Sequence, residues 1–284
     1  MKTQKVWFVT GTSKGFGLEI TKAVLASGDK VIATVRSKVA ELTSKFNNNP
    51  DLLVVTMDTT IESQVKEAVQ QGVAHFGKID VVVNNAGYGI VTAIEEATDE
   101  ETRKQYDTNV FGLLNVTRAV LPYLRKQRSG HIINISSLFG FDAIPGWALY
   151  GSTKFAVEGI SKGLAAELEP FNIKVTAVEP GLFTTDFLSK ESYAIADNAI
   201  DDYADTTVGQ MRAHSGSLHG KQPGDPVKLA KVIVELADTK EPPLQLPLGT
   251  DAIQTYRTSA ENTAKSVEKW LALSTSTDHV VKEA

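Results

Sequence analysis

Along the chain, short runs of nearly continuous apolar residues alternate with longer stretches in which apolar positions recur every three or four residues. The short runs are Val6 to Val9, KVIATVRS from Lys30, LLVVTM between Asp51 and Met57, IDVVVNN from Ile79, HIINIS from His131 and KVTAV from Lys174. They are rich in β-formers and too short for helices, so they read as strands. Between them, helical periodicity runs through Ile20, Val24 and Leu25, then from Ile61 to Phe76, from Thr98 to about Lys126, and from Trp147 toward Pro170. Thr98 and Glu101 form a capping-box pattern that opens the third of these. Strands without a polar face, separated by helices, predict a parallel sheet covered on both sides. From Phe183 to Pro226 the periodicity weakens and Asp, Ser, Ala and Gly accumulate, which marks residues 183–226 as a substrate loop. A helix resumes at Pro226, well placed for a first turn, followed by a strand near Leu244 to Leu246 and a helix containing Ile253 and Tyr256. No repeat, low-complexity tract or linker divides the chain, so residues 1–284 read as one domain, with a loose polar tail after Leu273.

Composition narrows the partners. A net charge of −5 gives no support to nucleic-acid or anionic-membrane binding. The chain has no cysteine, and its five histidines lack paired ligand spacing, so no metal site is expected. No apolar run reaches the ~18 residues of a membrane span. The N-terminus enters its first strand within a few residues, which leaves no room for a signal peptide and points to the cytoplasm.

The first strand leads directly into Thr10-Gly11-Thr12-Ser13-Lys14-Gly15-Phe16-Gly17 and then into a helix. Strand, glycine turn and helix in that order suit a dinucleotide loop: Gly11 for the tight turn, Gly15 for backbone approach to a pyrophosphate, Gly17 for close helix packing. At the end of the second strand, where an acid would bind the ribose of NAD, stands Val35, followed by Arg36, and no acid lies between Val31 and Lys38. A guanidinium can hold a 2′-phosphate that a carboxylate would repel. With Lys14 in the turn, the pattern predicts NADP(H). Asp58 ends the third strand and is placed either to accept a bond from an adenine amino group or to cap the next helix. Asn84, Asn85, Ala86 and Gly87 close the fourth strand with polar and small groups fit to pin neighbouring strands and a ribose. Asn109 lies inside a helix, where an asparagine needs partners or a kink.

Ser137 ends the HIINISS strand, and Tyr150 and Lys154 stand at i and i+4 on the helix that follows. A nearby ammonium favours a phenolate and is expected to lower the tyrosine pKa by about 1–3 units, making a usable proton exchanger. After KVTAVEPG, which ends at Pro180 and Gly181, the Thr184 hydroxyl is placed to bond a nicotinamide carboxamide. Gly159 and Gly163 leave a stripe of small residues that faces either the protein's own sheet or a second subunit.

TGTSKGFG, Asp58, NNAG, Asn109, Ser137, YGSTK and PGLFTT, in this order and spacing over roughly residues 5 to 250, closely resemble the classical short-chain dehydrogenase/reductase family. The resemblance implies an α/β, doubly wound Rossmann fold of about seven parallel strands with helices on both faces. It also implies a catalytic tetrad of Asn109, Ser137, Tyr150 and Lys154, in which Asn109 supports a proton-relaying water near the lysine. A homodimer or homotetramer built on the helices of Asn109 and Tyr150 follows from it too. Lys14 and Arg36 match the NADP-using members. Phe139, Phe141, Ile144, Trp147, Phe183 and Phe187 are expected to line the substrate pocket, which suits a lipophilic ketone, aldehyde or secondary alcohol. The alternatives are a sugar, a polyol or an acyl-carrier-linked ketone with the same chemistry, or a protein that binds a dinucleotide without turnover.

Overall fold

The computed structural model describes residues 3–188, 193–195, 198–215 and 220–279. The apolar runs form β1 (Val6–Val9), β2 (Lys30–Val35), β3 (Leu52–Thr56), β4 (Val81–Asn84), β6 (Gly130–Ile135), β7 (Ile173–Pro180) and β9 (Gln245–Leu248). They pair in the order β3-β2-β1-β4-β6-β7-β9, every pairing parallel. The chain works outward from β1 to β3, then returns to β4 and builds toward the other edge. That reversal opens a crevice between the carboxyl ends of β1 and β4, where open parallel sheets place their ligands.

Period-two alternation explains why both faces are covered. Trp7 and Val9 of β1 point into one apolar cluster, against Ile20 and Val24 of α1 (Gly15–Ala26) and Leu229 and Ile233 of α8 (Pro226–Asp238). Val6 and Phe8 point into the other. There they meet Val65 and Val69 of α3 (Glu62–Phe76), Val120 and Leu124 of α5 (Gly112–Gln127) and Leu164 of α6 (Ala148–Leu168). Each fully buried side chain of this kind stabilises the fold by about 1.5–3 kcal/mol relative to exposure.

The helix predicted from Thr98 begins at α4 (Asp99–Tyr106) with its capping box formed in both directions. It does not run on as plain α-helix: Asp107–Phe111 is a π-helical turn before α5, and Asn109 sits in it. Such a turn breaks the regular carbonyl ladder, as an asparagine that prefers other partners would require.

Two features were not foreseen. β5 (Gly89–Val91) pairs in parallel with β8 (Tyr193–Ile195) as a small separate sheet, and three residues are too few to announce a strand. The second is α7 (Thr207–Ser215), inside the stretch expected to be loop, whereas the helix expected through Ile253 and Tyr256 forms as α9 (Thr250–Thr275) after β9. α9 is a 26-residue helix, so the tail expected to be loose after Leu273 is helical to Thr275, and residues 280–284 lie outside the described residues. The short α2 (Val39–Lys45) covers the edge beside β3. Among the described residues, no helix is long and apolar enough to cross a membrane. A Cβ added at Gly159 or Gly163 would meet nothing within 4 Å, so the small-residue stripe does not face the protein's own sheet.

Candidate active site

A single cavity of about 1080 Å³ runs over the carboxyl ends of the strands, from Arg36 and Asp58 at one end to Trp147 and Met211 at the other. Gly11, Ser13, Lys14, Gly15 and Phe16 line it. Gly11 (φ +68) and Gly15 (φ +56) adopt the left-handed conformation that bends the chain from β1 into α1. Gly17 lies behind this surface. A Cβ there would stand 2.3 Å from the Gly11 carbonyl oxygen and 2.6 Å from Asn85 Nδ2, so the helix can approach the turn only because the side chain is missing. Asn85 Nδ2 donates to the carbonyls of Thr10 (2.8 Å) and Gly11 (3.1 Å), which ties the β4 end to the glycine turn. Asn84 Nδ2 reaches Asn134 Oδ1 at 2.9 Å and pins β4 to β6.

Asp58 does not cap α3, whose N-cap is Ile61 without a side-chain bond; its Oδ1 accepts from the Thr60 amide at 2.9 Å and the Thr60 hydroxyl at 2.7 Å ahead of the helix, and the residue lines the cavity. Asn85, Ala86, Gly87, Pro180 and Gly181 line it as well.

Ser137, Tyr150 and Lys154 meet in the middle of the cavity wall. Ser137 N-caps a turn by accepting from the Phe139 amide at 3.2 Å, and it is hydrogen-bonded to the Tyr150 phenol. Lys154 Nζ donates to the Ile135 carbonyl at 2.8 Å and lies 5.6 Å from the Tyr150 ring centre. One of three ammonium protons is thus used within the chain, and the others are available to a bound ligand. Asn109 is buried behind them. Its amide donates to the Tyr88 carbonyl (2.9 Å) and the Thr153 hydroxyl (3.0 Å), and its Oδ1 accepts from the Tyr88 amide (3.1 Å). The side chain therefore braces the loop after NNAG, and Gly87 separates it from Lys154 Nζ.

Burial governs the ionisation of this group. It pushes the Tyr150 phenol well above its ordinary range, with the Ser137 hydrogen bond opposing. It lowers Lys154 to about 8, with the Glu158 carboxylate, one turn along α6, opposing. The expected depression of the tyrosine by the lysine is not found: the ammonium is turned to the Ile135 carbonyl, and loss of solvent dominates.

The end of the cavity at Trp147 is an aromatic box. Trp147 stacks on Phe139 (5.5 Å) and on Phe187 (6.3 Å), and Tyr150 meets Trp147 edge-on (5.6 Å). Ile144 completes the wall. Phe141 does not belong to it, because α9 draws it away: its ring packs on Tyr256 at 4.9 Å and its carbonyl accepts from Ser259. Phe183 lines the cavity but packs edge-on against Phe16 at 5.4 Å, which places it beside the glycine turn. The Thr184 hydroxyl donates to the Gln222 carbonyl at 2.7 Å instead of lining the cavity, and Thr185 lines it in its place.

Several lining residues escaped sequence reasoning: Tyr88, Leu182, Ala194, Met211, Gln222 and Asp251. Met211 is brought over the box by Glu96, which is fully buried and accepts from the Ala93 amide (2.9 Å), the Ile200 amide (2.9 Å) and Arg212 Nη1 (2.9 Å). Burial works against the carboxylate, but these bonds outweigh it and hold its pKa below the usual range. One side chain thereby fastens the turn after β5, the segment at Ile200 and α7. Glu96→Gln weakens the charge-assisted bond to Arg212, and since such a bond contributes about 1.5–3 kcal/mol, the free energy of unfolding is expected to fall by about that much. Urea denaturation checks this: an unchanged midpoint removes Glu96 from fastening these segments.

The family profile described as short chain dehydrogenase matches residues 5–195. The chain is 39% identical over 272 residues to oxidoreductase BOA17 of Botryotinia fuckeliana, covering 95% of this chain and 98% of that one. It is 39% identical over 246 residues to the 3-ketodihydrosphingosine reductase of Bacteroides thetaiotaomicron, with 86% and 88% covered. A short-chain dehydrogenase from Streptomyces avermitilis has the same architecture at TM-score 0.89 and 37% identity, over 98% of this chain and 100% of that one. ElxO with NADP bound (TM-score 0.73, 30% identity, 89% and 100% covered) is similar too. So is the 3-ketoacyl-(acyl-carrier-protein) reductase of Brucella melitensis complexed with NADH (0.72, 26%, 86% and 96%).

Proposed function

The chain belongs to the short-chain dehydrogenase/reductase family, and on that footing we propose that it interconverts a lipophilic ketone or aldehyde and its alcohol using NADP(H). The observation that carries this reading is the continuity of one cavity from the glycine turn and Arg36, past Ser137, Tyr150 and Lys154, to the aromatic box. When bound, NADP(H) supplies or accepts the hydride. The turn from Gly11 to Phe16 fits its pyrophosphate through backbone N–H groups, and Lys14 and Arg36 supply the charge for a 2′-phosphate. Lys154 holds nicotinamide ribose hydroxyls with the protons it does not give to Ile135. Ser137 orients the substrate oxygen, and Tyr150 transfers the proton to it or from it. Asn109 acts by bracing the backbone beside Lys154.

Apolar and aromatic walls support a lipophilic substrate over a sugar or polyol. A relative named 3-ketodihydrosphingosine reductase agrees with that class. The same reading includes a homodimer or homotetramer on the helices of Asn109 and Tyr150, supported by the open glycine stripe and by Phe111 and Phe155, each about half exposed (53% and 46%).

Because solved relatives carry NADP in one case and NADH in another, the cofactor preference is the part to test. Arg36→Ala removes a charge-assisted bond to the 2′-phosphate and is expected to lower the NADPH-over-NADH ratio of kcat/KM by about 10–100-fold. The loss should fall on NADPH alone. An unaltered ratio takes Arg36 out of cofactor selection.

A further inference from the structure

Gln222 is 8% exposed, lines the cavity, and has no hydrogen-bond partner on either Oε1 or Nε2. Whichever way the amide is turned, a donor and an acceptor are left unpaired side by side, and buried polar groups are ordinarily paired. The group therefore fits a ligand that presents an acceptor and a donor together.

Its place in the fold says which ligand. The Gln222 carbonyl accepts from the Thr184 hydroxyl at 2.7 Å, Thr184 N donates to the Gly224 carbonyl at 2.8 Å, and Gly224 N donates to the Leu182 carbonyl at 2.9 Å. The segment around Gln222 thus runs alongside Leu182–Thr184, directly after β7. A Cβ at Gly224 would strike the Phe183 ring, and that ring leans on Phe16 of the glycine turn. Gly220 and Pro226 face Gly15 across a smaller hollow. These contacts put Gln222 on the dinucleotide's side of the cavity, apart from the Trp147 and Phe187 box. Arg36 and Asp58 follow β2 and β3, and four strand steps separate β2 from β7, roughly 19 Å at about 4.8 Å per step. Gln222 is therefore at the end away from the adenine and the 2′-phosphate. Pyrophosphate oxygens only accept. The group of the cofactor that carries a planar donor and acceptor at this end is the nicotinamide carboxamide.

We propose that Gln222 pairs through its side-chain amide with the nicotinamide carboxamide, the contact that the chemistry of Thr184 suggested but that its bond to the Gln222 carbonyl prevents. This rests on the NADP(H) reading above, and the experiment separates the two. The full-length protein is titrated, by cofactor fluorescence, with NADPH and with the reduced 3-acetylpyridine analogue, in which a methyl group replaces the amide nitrogen. Gln222→Leu is expected to weaken NADPH binding about tenfold or more and to affect the analogue much less, so that discrimination between the two collapses. Gln222→Met keeps the length and loses both donor and acceptor; it should weaken NADPH likewise and serves if the leucine variant does not fold. Undiminished discrimination in both variants overturns the proposal, as does a change confined to KM for the carbonyl substrate. A wild-type protein that binds no dinucleotide overturns the cofactor reading itself, and the pairing with it.

Discussion

Tyr150→Phe is expected to lower kcat for carbonyl reduction by about 10²–10⁴-fold, the usual contribution of a positioned general acid, while NADPH affinity and thermal stability stay near wild type. The ring keeps its edge contacts with Trp147 (5.6 Å) and Phe139 (6.0 Å), and only the hydroxyl bonded to Ser137 is lost. Burial holds that hydroxyl protonated, which prepares it as a donor to a nascent alkoxide and makes it a poor base unless a charge comes to its aid. Lys154 does not lower the phenol in the free protein; its charge serves the proposed hold on the nicotinamide ribose, and only while it is an ammonium. Its pKa of about 8 in the folded protein lies below the ordinary lysine value, so the cation is present below pH 8 and disappears as pH rises through that point. The wild-type kcat/KM for reduction, which reports the free enzyme, should therefore decline above about pH 8. Turnover of the phenylalanine variant equal to wild type would remove Tyr150 from the chemistry. A flat profile between pH 7 and 10 would remove the lysine's charge from it.

What the sequence made legible was local. β1, the glycine turn and α1 are consecutive, so the cofactor loop announces itself in twelve or so residues, and the i, i+4 spacing of Tyr150 and Lys154 follows from helix geometry alone. The missing acid before Lys38 is equally local. The failures all involve partners far along the chain. Phe141 reads as a pocket wall until Ser259 and Tyr256 of α9 take its carbonyl and its ring, 118 positions away in the first case. Thr184 reads as a cofactor ligand until its hydroxyl is found on Gln222. Glu96 looks like one more acid before a helix, and nothing near it in sequence says that Arg212 and Ile200 will close on it. The lysine's effect on the phenol failed for a related reason: helical spacing brings two groups together but does not say how dry their surroundings are.

Gly17→Ala should damage both stability and cofactor binding. The new methyl group would lie 2.3 Å from the Gly11 carbonyl oxygen and 2.6 Å from Asn85 Nδ2, distances no real contact sustains. These two atoms are themselves hydrogen-bonded at 3.1 Å, and Asn85 also holds the Thr10 carbonyl. Neither can retreat without breaking the tie between β4 and the turn, and Gly11, held at φ +68, has little freedom to follow. Overpacking of this kind costs about 1–3 kcal/mol, so the urea midpoint should fall clearly. The displaced backbone is the same one that lines the cavity at Gly11 and Ser13. NADPH affinity, followed by fluorescence, should drop by about 100-fold or more, because two or more amide donors leave their positions together. Gly163→Ala adds a carbon that meets nothing within its own chain, so within one protomer only helix propensity acts, a gain of up to about 1 kcal/mol; a loss of stability instead is the result expected of the proposed subunit interface. If Gly17→Ala unfolds at the wild-type midpoint and binds NADPH as tightly, the turn is not packed against Asn85 as described, and the glycine's place in the motif has another cause.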